Sequence, residues 1–175
     1  MKARRPGRVM QHMVAGAAVL AGALALAPGA WAPPPAEGTL VPGVSLGGIE
    51  LGMTRDEVRA AWGERFGVCR NCRRPTWFFN YRPYEPQGTG VSFRRGEVVH
   101  VFTVWSPPGW QATDGLTLGA DEIDVGAGLV LAGDRACDGY TAKRAVTGET
   151  ETVFYVHEGK LWGFGLVRPG ANPCL

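Results

Sequence analysis

Apolar positions in Gly48-Ile49-Glu50-Leu51-Gly52-Met53-Thr54-Arg55-Asp56-Glu57-Val58-Arg59-Ala60-Ala61-Trp62-Gly63 change period partway along. Alternation through Ile49 and Leu51 reads as a short strand, and Val58, Ala61 and Trp62 then share one helical face. Thr54 is the N-cap and Glu57 falls at N3, which completes a capping box, with Met53 and Val58 placed as its hydrophobic staple. Gly63 suits a left-handed stop. The pattern returns at Gly115-Leu116-Thr117-Leu118-Gly119-Ala120-Asp121-Glu122-Ile123-Asp124-Val125, where Gly126 and Gly128 predict a weaker helix. Two strand–glycine turn–strand patterns also match, Val91–Val101 around Arg95-Gly96 and Phe154–Phe164 around Glu158-Gly159. Thr76–Tyr81, Gly139–Lys143, Glu151–His157 and Lys160–Val167 read as further strands. Helix first and strands after, twice over, predicts an α+β fold of two tandem units, each a short helix followed by antiparallel sheet.

The ends of the chain set the boundaries. Residues 1–32 carry Lys2, Arg4, Arg5 and Arg8 ahead of the apolar run Val14–Leu26, the form of a signal peptide. An uncleaved anchor is the alternative, and it would be the chain's one membrane contact. Residues 33–43 read as a proline-rich spacer, 44–106 as the first unit and 107–175 as the second. Setting the four leader cations aside leaves 14 Lys+Arg against 16 Asp+Glu, so the excess of base is no argument for nucleic acid. The charge is asymmetric: 9 basic and 6 acidic residues from Ser45 to Val104, 5 and 9 from Trp105 to Leu175. Such asymmetry favours mutual packing of the units or a polar partner surface.

Cys69, Cys72, Cys137 and Cys174 all lie beyond the leader of an exported chain and read as two disulfides. Cys69–Cys72 with Cys137–Cys174 is the economical pairing; Cys69–Cys137 stays open. Cys69-Arg70-Asn71-Cys72 also has redox spacing, with Arg73 and Arg74 to lower a thiol pKa. A thioredoxin-type motif needs a helix after it, and here Arg73-Arg74-Pro75 leads into a strand. Gly43-Val44-Ser45-Leu46-Gly47 matches a nucleophile elbow in letters only, since a proline spacer precedes it; a flexible loop is expected there. No HExxH, P-loop or dinucleotide fingerprint occurs, so no metal or cofactor is expected.

The first motif, Gly48-Ile49-x-Leu51-Gly52-Met53-Thr54-x-x-Glu57-Val58 with Gly63, resembles the opening of the SmpA/OmlA-like and β-lactamase inhibitor protein-like (BLIP-like) group. That resemblance implies units of helix-loop-helix followed by antiparallel sheet. The doubled motif and export resemble the inhibitor branch, which binds enzymes through a concave aromatic sheet. It implies a secreted or cell-envelope, non-catalytic module for an unidentified protein partner, without implying inhibition. The alternative is an envelope thiol-disulfide redox protein using Cys69 and Cys72. Strand alternation assigns Val99, Val101 and Thr103, with Trp162, Phe164 and Leu166, to the core. The opposite face carries Val98, His100 and Phe102, then Leu161, Gly163 and Gly165. A docking surface is expected from Phe78, Asn80, His100, Phe102 and Arg94, completed by Trp105 and Trp110, with Arg73, Arg74 and Arg95 around it. The pattern leaves open whether this set faces outward or closes a second small core.

Overall fold

Two tight turns build the centre of the molecule. In the computed structural model, which describes residues 37–70, 72–79, 88–104 and 109–175, Arg95 and Gly96 both have positive φ (55° and 90°), as do Glu158 and Gly159 (49° and 73°). Positive φ at both central residues is the geometry that closes a two-residue hairpin without splaying its strands. The first turn joins β5 (Gly88–Arg94) to β6 (Glu97–Val104), and the second joins β10 (Thr150–His157) to β11 (Lys160–Val167). The remaining elements in chain order are β1 (Gly38–Val41), β2 (Ser45–Leu46), α1 (Arg55–Trp62), β3 (Gly67–Cys69), β4 (Thr76–Phe79), β7 (Trp110–Ala112), a 3-10 turn at Glu122–Asp124, β8 (Leu131–Ala136) and β9 (Thr141–Thr147). One sheet of eight antiparallel strands runs β3-β4-β5-β6-β11-β10-β9-β8, and a small second sheet runs β2-β1-β7. Each hairpin lies at the centre of the large sheet, because β6 pairs with β11.

This architecture corrects the α+β expectation. Among the described residues the protein is mostly β, 51% strand against 9% helical, and neither unit shows a helix-loop-helix there. Among the described residues α1 is the one α-helix, and its start is as read. Thr54 Oγ1 accepts from the Glu57 backbone N–H at 3.3 Å, and Glu57 accepts from the Thr54 backbone N–H at 2.7 Å. The Thr54 backbone N–H, and then the Thr54 hydroxyl donating to the same carboxylate at 2.8 Å, favour the charged form and hold Glu57 below its usual pKa. Where a second helix was expected there is the 3-10 turn alone. Asp121 makes no side-chain cap bond there, and Gly126 and Gly128 turn left-handed at φ 72° and 82°.

Three further boundaries move. The first 36 residues, with the leader and the start of the spacer, lie outside the described residues, but the folded part begins before Val44. β1 is a strand with Leu40 fully buried, and it pairs in parallel with β7, Leu40 opposite Ala112. Ser45 stands in strand β2, not in a flexible loop and not on a strand-to-helix elbow. The last, β8, is an edge strand with every residue exposed. Its sequence Leu131-Ala132-Gly133-Asp134-Arg135-Ala136 has no buried face to announce it.

The main core lies between one face of the large sheet and a layer made of α1 and the small sheet. Val58 and Trp62 from α1 meet Leu40, Leu46, Ile49 and Trp110, with Phe79, Val91, Phe93, Phe154 and Phe164 beneath them. Trp62 packs edge-on against Phe79 and Trp110. A second, smaller cluster on the other face gathers Phe102, Val104, Ala142, Val153, Tyr155 and Val167, with Phe78, Tyr140 and Trp162 against it.

Each central hairpin contains a β-bulge, and this revises the face assignment. Ser92 pairs with His100 but Phe93 pairs with Val98, so Val99 is the extra residue. Tyr155 pairs with Gly163 but Val156 pairs with Leu161, so Trp162 is the extra residue. Val98 and Leu161 therefore enter the main core, where strict alternation would exclude them, and Trp162 joins the opposite cluster.

Candidate functional site

The face opposite α1 is floored by glycine. Cross-strand register aligns Phe78, Gly90, Phe102 and Gly165 in one row, and Gly88, Val104 and Gly163 in the next. The Phe102 ring lies over Gly90 so closely that a Cβ there would come within 2.3 Å of Cζ. Glycine leaves the floor low, and the aromatic rings stand as walls.

A cavity of about 560 Å³ opens on this floor. Phe78, Phe102, Val104 and Trp162 give it an apolar surface, and Arg74, Thr76, Ser92 and His100 supply polar groups. Thr76 donates its hydroxyl proton to the Arg74 carbonyl at 3.0 Å, so in its 2.8 Å contact with Ser92 it accepts the Ser92 proton. The same reasoning orients His100. The Tyr155 hydroxyl donates to the Pro173 carbonyl at 3.2 Å, so its oxygen accepts the Nε2 proton of His100 at 2.7 Å. Burial, and then the nearby positive charge of Arg74, push the His100 pKa down to about 3. His100 is thus a neutral donor, fully buried in the wall. Burial also raises the Tyr155 pKa well above its usual value and lowers that of Arg74.

The segment after β11 closes the cavity on one side. Arg74 Nη2 donates to the Asn172 carbonyl at 2.8 Å, the Leu175 backbone N–H donates to the Tyr140 hydroxyl at 2.6 Å, and Cys174 is bonded to Cys137. Asn172, Cys174 and Leu175 all line the cavity. The other disulfide joins Cys69 to Cys72, so both expected pairs are formed and no cysteine is free. Two disulfides fit an extracytoplasmic protein. The segment following Cys72 is Arg73-Arg74-Pro75 and then β4, with no helix.

Of the residues expected at a docking surface, Phe78, His100 and Phe102 do meet, as walls of this cavity. They are not an open face: His100 is 1% exposed and Phe102 4%. Arg94 lies instead on a neighbouring cavity of about 350 Å³. Trp110 is on the opposite side of the sheet, 1% exposed in the main core, because β7 pairs with β1. Asn80 and Trp105 lie outside the described residues. Sequence reasoning missed Tyr155 and Trp162, and it missed that the chain after Val167 forms a wall. The Cys137–Cys174 bridge was the signal for that last feature.

No family model and no curated protein matches the chain. Among solved structures it is similar to the crystal structure of an extracellular protein containing a SCP domain from Bacillus anthracis str. Ames, with a TM-score of 0.43 and 13% identity. The match covers 68% of this chain and 44% of that one, less than half of the other protein's length. A likeness at that level carries no argument about fold or activity.

Proposed function

We propose that the protein is a secreted or envelope binding protein that takes a small organic molecule with an apolar body into the cavity on the glycine floor. The observation that carries this reading is the cavity itself. About 560 Å³ within aromatic walls, with a few convergent polar groups, is the composition and size of a small-molecule site. A flat protein–protein face is less well supported, because His100, Phe102 and Trp110, expected to act as anchors, are buried.

A catalytic role finds no support in the polar groups. A general base works best with a pKa near the operating pH, and His100, at about 3 and committed to Tyr155 as a donor, is far from that. The Ser92 proton is held by Thr76, not by a base. The redox alternative gains nothing either: with no helix after Cys72, no helix N-terminus is there to stabilise a thiolate.

The test uses the neutral, environment-sensitive dye N-phenyl-1-naphthylamine. Saturable fluorescence enhancement is expected, weakened by Trp162→Ala, which removes one wall from a half-buried position. If folded protein gives no saturable enhancement, the cavity is not a binding site.

A further inference from the structure

Resting on the reading of the cavity as a binding site, we infer that its ligand is an anion: an apolar, ring-bearing body with one carboxylate, sulfonate or phosphate group at Arg74. The argument is one of uncompensated charge. Arg73 and Arg74 are the charged side chains lining the 560 Å³ cavity, and no Asp or Glu joins them among the described residues; Leu175 also lines it, and its carboxylate forms no ion pair with either arginine. The neighbouring cavity of about 350 Å³ shares Arg73, Arg74 and Asn172 with it and adds Arg94 and Arg168. Four arginines therefore line the smaller cavity, and two of them are shared with the larger.

Among the described residues little neutralises them. Arg168 pairs with Glu97 at 3.3 Å, an exposed contact weakened by solvent. Arg74 is half-buried and, among the described residues, gives one hydrogen bond to a backbone carbonyl, which satisfies a donor but leaves the charge without an ion pair there. Holding a cation against desolvation and beside Arg73 is unfavourable, and both effects are seen in its lowered pKa. An anion placed there relieves that cost, and the planar guanidinium fork matches the two oxygens of a carboxylate, sulfonate or phosphate. His100 adds no competing positive charge. The rest of the wall, Phe78, Phe102 and Trp162, suits the flat body of the same molecule.

A matched pair of probes tests the inference separately from the binding reading. 8-Anilino-1-naphthalenesulfonate is N-phenyl-1-naphthylamine with a sulfonate added. The sulfonated dye is expected to bind about ten- to a hundredfold more tightly. Arg74→Gln, which keeps a donor for the Asn172 carbonyl, is expected to bring the two affinities together. Arg94→Gln, at an exposed site, gives a smaller loss for the anion that fades in high salt. Equal affinity of the two dyes for the natural protein overturns the anion inference and leaves the cavity a binding site. An anion preference that survives both substitutions overturns it as well. If neither dye binds folded protein, both readings fall. A signal from the peptide acetyl-Phe-Glu-Glu-amide with none from either dye overturns them in favour of a protein partner.

Discussion

The buried His100 makes stability depend on pH in a window where few other groups titrate. In the folded protein the imidazole resists protonation down to about pH 3, because of burial and then the positive charge of Arg74 on the segment before β4. Its other polar neighbour, Tyr155 on β10, stays neutral and accepts the Nε2 proton. In the unfolded chain the same group titrates near its ordinary 6.5. The folded value is depressed, so between these limits the unfolded state binds more protons, and acid favours unfolding. The stability that a neutral His100 allows is complete above pH 6.5 and is lost as pH falls from 6.5 toward 3. At about 1.4 kcal/mol per tenfold difference in proton affinity, the loss approaches about 5 kcal/mol at the acid limit and is already about 2 kcal/mol at pH 5. Ordinary carboxylates are still mostly ionised at pH 5, so this part of the loss is separable from general acid unfolding.

Urea denaturation at pH 5, 6, 7 and 8 measures it, alongside His100→Gln, which keeps a donor for Tyr155 and removes the titration. The natural protein is expected to lose about 2 kcal/mol between pH 7 and pH 5 in excess of the variant. Their difference cancels every group common to both. A natural protein equally stable at pH 5 and pH 7, or a variant with the same slope, would refute the buried neutral His100.

Three shorter tests address the frame around the site. Thr54→Ala removes the N-cap acceptor of α1 and is expected to cost about 1 kcal/mol by urea midpoint. Gly90→Ala puts a Cβ where the Phe102 ring now lies, at a backbone conformation that alanine tolerates; about 1–3 kcal/mol is expected, most of it recovered in a Phe102→Leu background. Replacing Cys137 and Cys174 together by serine opens a link spanning 37 residues, and about 4 kcal/mol is expected with early hydrogen exchange at positions 174 and 175.

Local signals were legible in the sequence, and long-range ones were not. The capping box at Thr54 and Glu57 and the glycine turns at Arg95-Gly96 and Glu158-Gly159 are interactions between residues close in the chain, and each stands where the pattern put it. The disulfide pairs preferred from spacing and export, with Cys69–Cys137 left open, are the ones formed. The helix-loop-helix units failed because left-handed Gly126 and Gly128 end the second helical segment after a single 3-10 turn. Trp110 was misplaced because its partner strand, Gly38–Val41, lies about 70 residues away and hides in a proline-rich stretch. The cavity was half legible: Phe78, His100 and Phe102 line it together, but Asn172, Cys174 and Leu175, which close one side, were not read as part of it.

The bulges link these observations. At the first, Val98 departs from alternation because its backbone is held from outside the hairpin: Gly52 N–H donates to the Val98 carbonyl and Val98 N–H to the Met53 carbonyl, both at 2.8 Å. Gly119 and Ala120 hold Leu161 by the same two bonds at the same distance. The two similar sequence segments thus act as clamps on the hairpins, not only as the approach to a helix. The clamp on Val98 turns it into the main core and leaves Val99 as the extra residue, whose carbonyl accepts the Arg168 backbone N–H at 3.0 Å. That bond starts the segment running from Arg168 to Leu175 across the other face. The clamp on Leu161 leaves Trp162 as the extra residue and places it in the cavity wall. A motif on one face of the sheet therefore sets the shape of the site on the other, through a single unpaired residue in each hairpin.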